Sequence, residues 1–420
     1  MAFLRQALMK FWNLELYWKV LIGMAAGIVY ALLMGDAAMN VAPIGDIFMR
    51  LLKMVIIPLI FFSITSGVVG IRESRSLGRL GLKTFGYYLF TSMLAIITGL
   101  ILTFVIQPGQ GVEIASTGEA FDPSKLSQPG SLGNILIRMI PTNPIQAAAD
   151  GDVLAVIFFS IVFGMAITAL PREQYEAAKD FFERFFHVMM KLTHGVILFL
   201  PFGVFGLIAK AIASTGFELF RAVGWYIVTI GLGLTIHTFI VLPIVFYVFT
   251  GINPKKHFRA IASAMATAFS TSSSGATLPV TMDCVENNAG VSNKVTSFVL
   301  PLGATINMDG TALYECAGVL FIAQALGFDL TFMQQLLIVI TAFFASVGAA
   351  AIPSAGLVMI FIVLDAVGLG SHPEAAIIVG TMLAVDRPLD MYRTVVNVTS
   401  DSIGAVIIAK TEGESVLQDD

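Results

Sequence analysis

The chain of 420 residues is 57% hydrophobic and 12% charged, with a mean hydropathy of +0.86, more apolar material than a soluble core of this size needs. Its formal charge of −4, with Lys and Arg in small clusters, excludes a nucleic-acid partner. Cys284 and Cys316 read as packing residues, and His187, His194, His237, His257 and His372 are too scattered to suggest a metal site.

Runs of about 20 apolar residues predict membrane spans. They fall at roughly 18–34, 43–71, 84–107, 131–169 in pieces, 185–213 and 219–250, so the chain reads as an all-α integral membrane protein. The first run follows Arg5, Lys10 and Lys19 without a small-residue cleavage site and reads as a retained span. Arg72, Arg75, Arg79 and Lys83 follow the second span, and Lys255, Lys256 and Arg259 follow the sixth. The 108–130 connection is Gly/Pro/Ser-rich and mildly acidic, with Glu113, Glu119 and Asp122 against Lys125. By the positive-inside rule the N-terminus and the 251–259 loop are cytoplasmic and the 108–130 loop is outside. Tyr88, Thr91 and Ser92 bring oxygens into the middle of the third span.

Beyond residue 255, polar and helix-breaking residues occur at membrane depth. The 258–290 segment has an apolar approach, the run Ser270 to Gly275 with Pro279, and a polar exit from Asp283 to Asn288. The 330–364 segment carries no charge, yet reads ASVGAAAIPSAG at 345–356. Each of its arms is about a dozen residues, too short to cross ~30 Å at about 1.5 Å per residue. Re-entrant hairpins are predicted, because non-helical backbone at this depth needs protein or water to satisfy it. Two such segments, each followed by a helix with polar residues at depth, are the pattern of a secondary transporter with inverted repeats.

Between the hairpins, Asn307, Thr311 and Glu315 are spaced to share one helix face, and Asp309 points about 160° from Thr311 and must serve another site. Gly310 is expected to loosen the helix and free carbonyls for a hard cation. Ligands limited to oxygen favour such an ion over a transition metal.

From 375 to 409 an apolar stretch carries Asp386, Asp390, Arg393, Asn397 and Asp401 at spacings of four, three, four and four. All five fall within an arc of about 80° on one helix face. Each charge at bilayer depth costs roughly 2.5–3.5 kcal/mol, so the stripe must face protein, water or ligand. Asp390 and Arg393 are placed for an i,i+3 ion pair, and Asp386 to brace Arg393 at i+7 or a hairpin polar group.

The run Pro301 to Thr311 (PLGATINMDGT), the serine hairpin 271–279 and Asp390 to Asp401 (DMYRTVVNVTSD) closely resemble the glutamate/aspartate transporter family. That family includes archaeal sodium-coupled aspartate transporters and animal excitatory amino acid transporters. Arg50 to Met54 and Ala409 to Gly413 extend the resemblance over nearly the whole chain. It implies eight transmembrane helices plus two re-entrant hairpins, inverted repeats, and an elevator motion within a homotrimer. The expected scaffold comprises 1–83 and 109–217. The expected transport domain comprises 84–108 and 218–420, with hairpins at about 256–290 and 331–371. The expected location is the inner membrane of a prokaryote, crossed several times, with both termini cytoplasmic.

The resemblance further implies symport of L-aspartate and/or L-glutamate with sodium. Arg393 would hold the side-chain carboxylate and Asp390 the α-ammonium. Asn397, Ser273 and Ser274 would hold the α-carboxylate, with Thr311, Thr394, Met308 and Ile352 completing the pocket and Gly356 letting the second hairpin close. One sodium site would use Tyr88, Thr91, Ser92, Asn307 and Asp309. A second would use Gly303, Asn307, Asn397 and Asp401, and a third the backbone carbonyls of Thr305, Met308, Ser346, Val347 and Ala349. Proton-coupled bacterial relatives tend to carry an amide at the position of Asp401, so its carboxylate favours sodium.

Two departures modify this picture. Archaeal relatives have arginine at the position of Ser272 and animal ones have arginine at that of Met391; this chain has neither, but carries Arg387, expected to supply positive potential near Asp390. Glu315 replaces the archaeal glutamine, as in animal members, and is expected to carry H+, since a buried carboxylic acid is costly to ionise. The alternatives are a C4-dicarboxylate symporter, against which Asp390 argues, and an anion channel, against which paired charges at one spot argue. An intramembrane serine protease is the enzyme alternative, but the chain offers no GxSG motif and no histidine beside the polar turn of either hairpin, 270–279 or 345–356, so it is not read as an enzyme.

Overall fold

The computed structural model describes residue 14 and residues 16–70, 78–111, 137, 139–150, 152–215, 218–348, 355–370 and 372–417. Among these there is no strand. Helix α1 (Leu16–Met34) leads through a 3-10 turn, Gly35–Val41, into α2 (Ala42–Gly70). Then come α3 (Gly78–Ile106), α4 (Pro144–Asp150), α5 (Val153–Thr168), α6 (Arg172–Ile197) and α7 (Leu200–Thr215). Helix α8 (Glu218–Ile236) passes through a π turn, His237–Val241, into α9 (Leu242–Thr250). Two helices, spanning Arg79–Ile106 and Arg221–Thr250, are each long and apolar enough to cross a membrane.

Helix α9 ends where Gly251 takes the left-handed conformation (φ 71°), and the chain restarts one turn later with Asn253 capping and Pro254 opening α10 (Pro254–Ala260). Helices α11 (Ala262–Thr271) and α12 (Ser274–Asp283) form a helix–turn–helix with only Ser272 and Ser273 between them. Ser272 closes α11 in the left-handed region (φ 51°), and Ser273 caps α12 by accepting from the Ala276 amide at 3.2 Å. A second π turn, Cys284–Asn288, precedes α13 (Asn293–Ile306) and α14 (Asp309–Ala325). Helices α15 (Phe332–Gly348) and α16 (Ala355–Ala366) pack against each other and both pack on α14. The joining segment 349–354, with Ala349 and Ile352, lies outside the described residues, as do Arg5, Lys10, Arg72, Arg75 and the charged residues of 112–130. The chain closes with the 39-residue α17 (Pro373–Thr411), which continues through Pro388.

The second and third predicted spans match α2 and α3 within a few residues. The predicted span 185–213 needs correction. It is two helices, α6 (Arg172–Ile197) and α7 from Leu200, with a turn at 198–199 between them and Pro201 in the first turn of α7, where its missing N–H forfeits no helical bond.

One large core joins α1, α2, α5, α7 and α8 to α14–α16 and the first half of α17. A second gathers α3, α9–α13 and the last part of α17. Helix α17 thus runs through both. Its end is tied down by polar contacts: Lys83 Nζ donates to the Thr411 carbonyl at 3.0 Å, and the Leu417 amide donates to the Ala289 carbonyl at 2.9 Å.

Candidate functional site

The predicted site residues collect where α3, the α13–α14 junction and α17 meet. Helix α13 stops at Ile306 and α14 starts at Asp309, leaving Asn307 (φ −94°, ψ 88°) and Met308 (φ −117°, ψ 63°) non-helical between them. This break corrects two expectations. Asn307 does not share a continuous face with Thr311 and Glu315, because the helix is interrupted before Thr311. Gly310 lies inside α14 and serves close approach instead: a Cβ there would sit 2.7 Å from the Arg393 carbonyl oxygen, and its amide donates to Asn397 Oδ1 at 2.8 Å.

Around the break a buried oxygen cluster forms. Ser92 Oγ donates to Asp309 Oδ1 at 2.7 Å, and Ser400 Oγ donates to Asp309 Oδ2 at 2.6 Å. Asn307 Nδ2 donates to Ser400 Oγ at 3.0 Å and to Asp401 Oδ1 at 2.9 Å, while Thr91 Oγ1 donates to Asn307 Oδ1 at 3.4 Å. A Cβ at Gly303 would lie 2.5 Å from Asp401 Oδ1 and 2.7 Å from the Tyr88 hydroxyl, so only glycine admits both groups against α13. Tyr88 itself donates to the Val299 carbonyl at 2.6 Å. All these side chains are buried, and among the described residues neither carboxylate has a Lys or Arg salt-bridge partner. Two buried carboxylates met mainly by hydroxyl and amide groups make a site suited to a cation. The donors gathered here are hydroxyl, amide and carboxylate oxygens, which is the chemistry of a hard ion.

The third predicted ion set is only partly described. Met308 and Ser346 are buried, Thr305 is exposed at the end of α13, and Val347 is half-buried on α15, which packs against α13. Ser346 Oγ donates to the Phe343 carbonyl at 2.8 Å.

Two turns before Asp401, α17 carries alternating charges. Arg393 Nη2 donates to Asp390 Oδ1 at 2.8 Å and to Asp386 at 3.2 Å, and Arg387 Nη1 lies 3.4 Å from Asp390 Oδ2. The i,i+3 pair and the i+7 approach expected from spacing are therefore both present. The Arg393 guanidinium lies 3.7 Å from the centroid of the Tyr314 ring, a cation–π contact. A Cβ at Gly356 on α16 would fall 2.9 Å from Arg393 Nη1 and 3.4 Å from Thr311 Cγ2. Arg393 Nε and Nη1, both buried, have no hydrogen-bond partner among the described residues. Buried N–H donors left unmatched are costly, and each suits an oxygen of an acidic ligand.

The remaining predicted residues flank this pair. Thr394 Oγ1 donates to the Asp390 carbonyl at 2.9 Å, and Asn397 Nδ2 donates to Thr311 Oγ1 at 3.4 Å. The α11–α12 pair packs on α17, bringing the segment with Ser273 and the buried Ser274 against the helix of Arg393. Glu315 is fully buried one turn beyond Thr311 with neither oxygen hydrogen-bonded. Asn397 joins the two groups, since it touches Thr311 and Gly310 while Asp401 lies one turn further along α17.

Sequence reasoning missed Ser400, Tyr314 and His237. His237 Nε2 lies 3.2 Å from Asp309 Oδ2, and the signal for it was available, because an ionisable residue within an apolar span is itself a functional candidate. Ser400 and Tyr314 gave no such signal: each sits beside a charged residue whose spacing drew the reading.

Residues 16–411 match the model of the sodium:dicarboxylate symporter family. An excitatory amino acid transporter of Caenorhabditis elegans is 38% identical over 408 residues, covering 87% of this chain and 80% of its own length. Human excitatory amino acid transporter 3 is 35% identical over 426 residues, covering 90% and 80%. Human excitatory amino acid transporter 2 is 37% identical over 428 residues, covering 89% and 73%.

Proposed function

Since this chain belongs to the sodium:dicarboxylate symporter family, we propose that it takes up an acidic amino acid, L-aspartate or L-glutamate, in symport with sodium. The observation that carries this reading is Arg393. It is a buried guanidinium with two unmatched N–H groups, beside Asp390 on one helix turn and within two turns of the Asp309–Asp401 oxygen cluster. In this reading Arg393 takes the substrate's side-chain carboxylate and Asp390 its α-ammonium. Asn397, Ser273, Ser274, Thr311, Thr394, Met308 and Gly356 complete the pocket. Sodium is held by Tyr88, Thr91, Ser92, Asn307 and Asp309, and by Gly303, Asn307, Asn397 and Asp401. Asn397 belongs to both groups of residues, so filling the cation cluster organises the substrate pocket.

The finer parts of the account are proposals of the same kind. Eight transmembrane helices and two re-entrant hairpins make up the membrane domain of a homotrimer with cytoplasmic termini. The transport domain, 84–108 and 218–420, moves against a scaffold of 1–83 and 109–217. An apolar cavity of about 500 Å³ supports that division, since residues of both parts line it, Ile64, Val68 and Ile161 from the scaffold and Phe85, Tyr88 and Phe343 from the transport domain. The unpartnered Glu315 carries a proton alongside sodium, and Arg387 supplies positive potential at Asp390. A C4-dicarboxylate is the second reading of the substrate, favoured by the two guanidiniums already flanking Asp390. Titrating the purified protein with aspartate at increasing sodium tests the first reading. Affinity should rise steeply with sodium, and aspartate binding indifferent to sodium, or succinate binding in its place, would overturn it.

A further inference from the structure

Helix α8 does not run straight into α9. At His237–Val241 the backbone widens to π geometry, a feature that cluster at functional sites and that offsets the side chains beyond it by about one residue. The first residue of that turn, His237, is fully buried and directs Nε2 to Asp309 Oδ2 at 3.2 Å. Ser92 and Ser400 each donate to one oxygen of this carboxylate, so the His237 tautomer that donates from Nε2 is the one that matches an accepting group. Nδ1 has no hydrogen-bond partner in the structure. The other two donors to Asp309, Ser92 and Ser400, come from α3 and α17.

A carboxylate offers about four lone-pair positions. Ser400 and His237 occupy Oδ2, and Ser92 takes one position on Oδ1, leaving one Oδ1 lone pair that none of these three groups uses. We propose that His237 is a positioning residue for the cation cluster, donating from Nε2 to hold the Asp309 carboxylate with Oδ1 turned to the ion. The proposal rests on the reading of Asp309 as a sodium ligand. It couples α8 to the ion through one hydrogen bond, just as outer groups that orient metal ligands govern affinity elsewhere. The opposing possibility is that His237 only fills space between α8 and α14.

The test combines two measurements on the full-length protein: half-saturating sodium for aspartate uptake into proteoliposomes at saturating aspartate, and the sodium concentration that raises the melting temperature of the purified protein without aspartate. His237→Leu should raise both sodium requirements roughly tenfold, and His237→Gln, which restores a donor near Nε2, should stay within about twofold of the parent. In an Asp309→Asn background, His237→Leu should add no further shift, because the two act through one group. Equal shifts for the leucine and glutamine variants, or additive shifts with Asp309→Asn, would reduce His237 to packing and overturn the proposal. A sodium requirement unaltered in Asp309→Asn alone would instead overturn the reading of Asp309 on which it rests.

Discussion

Arg393 and Asp390 hold each other at 2.8 Å, one turn apart on α17, with Asp386 at 3.2 Å completing a buried triad. The two groups assigned to opposite ends of the substrate thus neutralise one another, and in the proposed reading the substrate's side-chain carboxylate and α-ammonium each take the place of one member of this pair as the other's partner. Breaking a buried pair by removing one partner costs about 3–5 kcal/mol, and each 1.4 kcal/mol is about tenfold in affinity. Arg393→Gln is therefore expected to weaken aspartate binding by more than about a hundredfold. Arg387→Ala removes only the half-buried outer partner of Asp390, and a loss of several-fold is expected; calorimetric titration measures both, and unchanged affinity in Arg387→Ala would remove that residue from the account.

Two glycines should separate substrate from ion. A methyl group at Gly356 presses on Arg393 Nη1, and one at Gly303 on Asp401 Oδ1. At saturating sodium, Gly356→Ala is expected to raise KM for aspartate roughly tenfold, since about 1–3 kcal/mol is typical of such overpacking. At saturating aspartate, Gly303→Ala should instead raise the half-saturating sodium. Uptake kinetics with the opposite pattern would exchange the two assignments.

Glu315 is buried on α14 without a hydrogen-bond partner for either oxygen. If it carries the proton, Glu315→Gln abolishes the response of uptake to an imposed pH gradient while sodium-driven uptake persists. A response to the pH gradient equal to that of the parent would assign the proton elsewhere.

Just beyond the C-terminal end of α17, Arg79 and Lys83 each lie 2.6 Å from the Glu412 carboxylate. Hydrogen bonds from Arg79 first, then Lys83, lower its pKa from 4.5 to about 2. The folded-state value is the lower one, so the interaction stabilises the fold fully above pH 4.5 and is lost as the pH falls through about 2. Glu412→Gln should lower the melting temperature modestly at neutral pH. That difference should shrink as the pH is lowered from 4.5 towards 2, whereas a difference independent of pH would contradict the linkage.

Much of this arrangement was legible from local pattern. Apolar length alone located α2 and α3, and the four-three-four-four spacing placed Asp386 to Asp401 on one face of a helix that Pro388 does not interrupt. The serines of 271–274 marked the turn between α11 and α12, because hydroxyl side chains cap helix ends. What local pattern missed depends on distant partners. The helix breaks at Asn307 and Met308 rather than at Gly310, since Asn307 exchanges helical geometry for bonds to Ser400 and Asp401 more than ninety positions away. His237 meets Asp309 across 72 positions and a π turn that no periodicity announces.

The central claim is that a sodium gradient drives accumulation of an acidic amino acid through the site shared by Arg393, Asn397 and Asp401. Uptake of labelled L-aspartate and L-glutamate into proteoliposomes, with sodium, proton and potassium gradients imposed one at a time, tests it most directly. Inward sodium should drive accumulation above the external concentration of at least one of the two, and equal sodium on both sides should abolish it. Equilibration without accumulation under the sodium gradient would contradict the account.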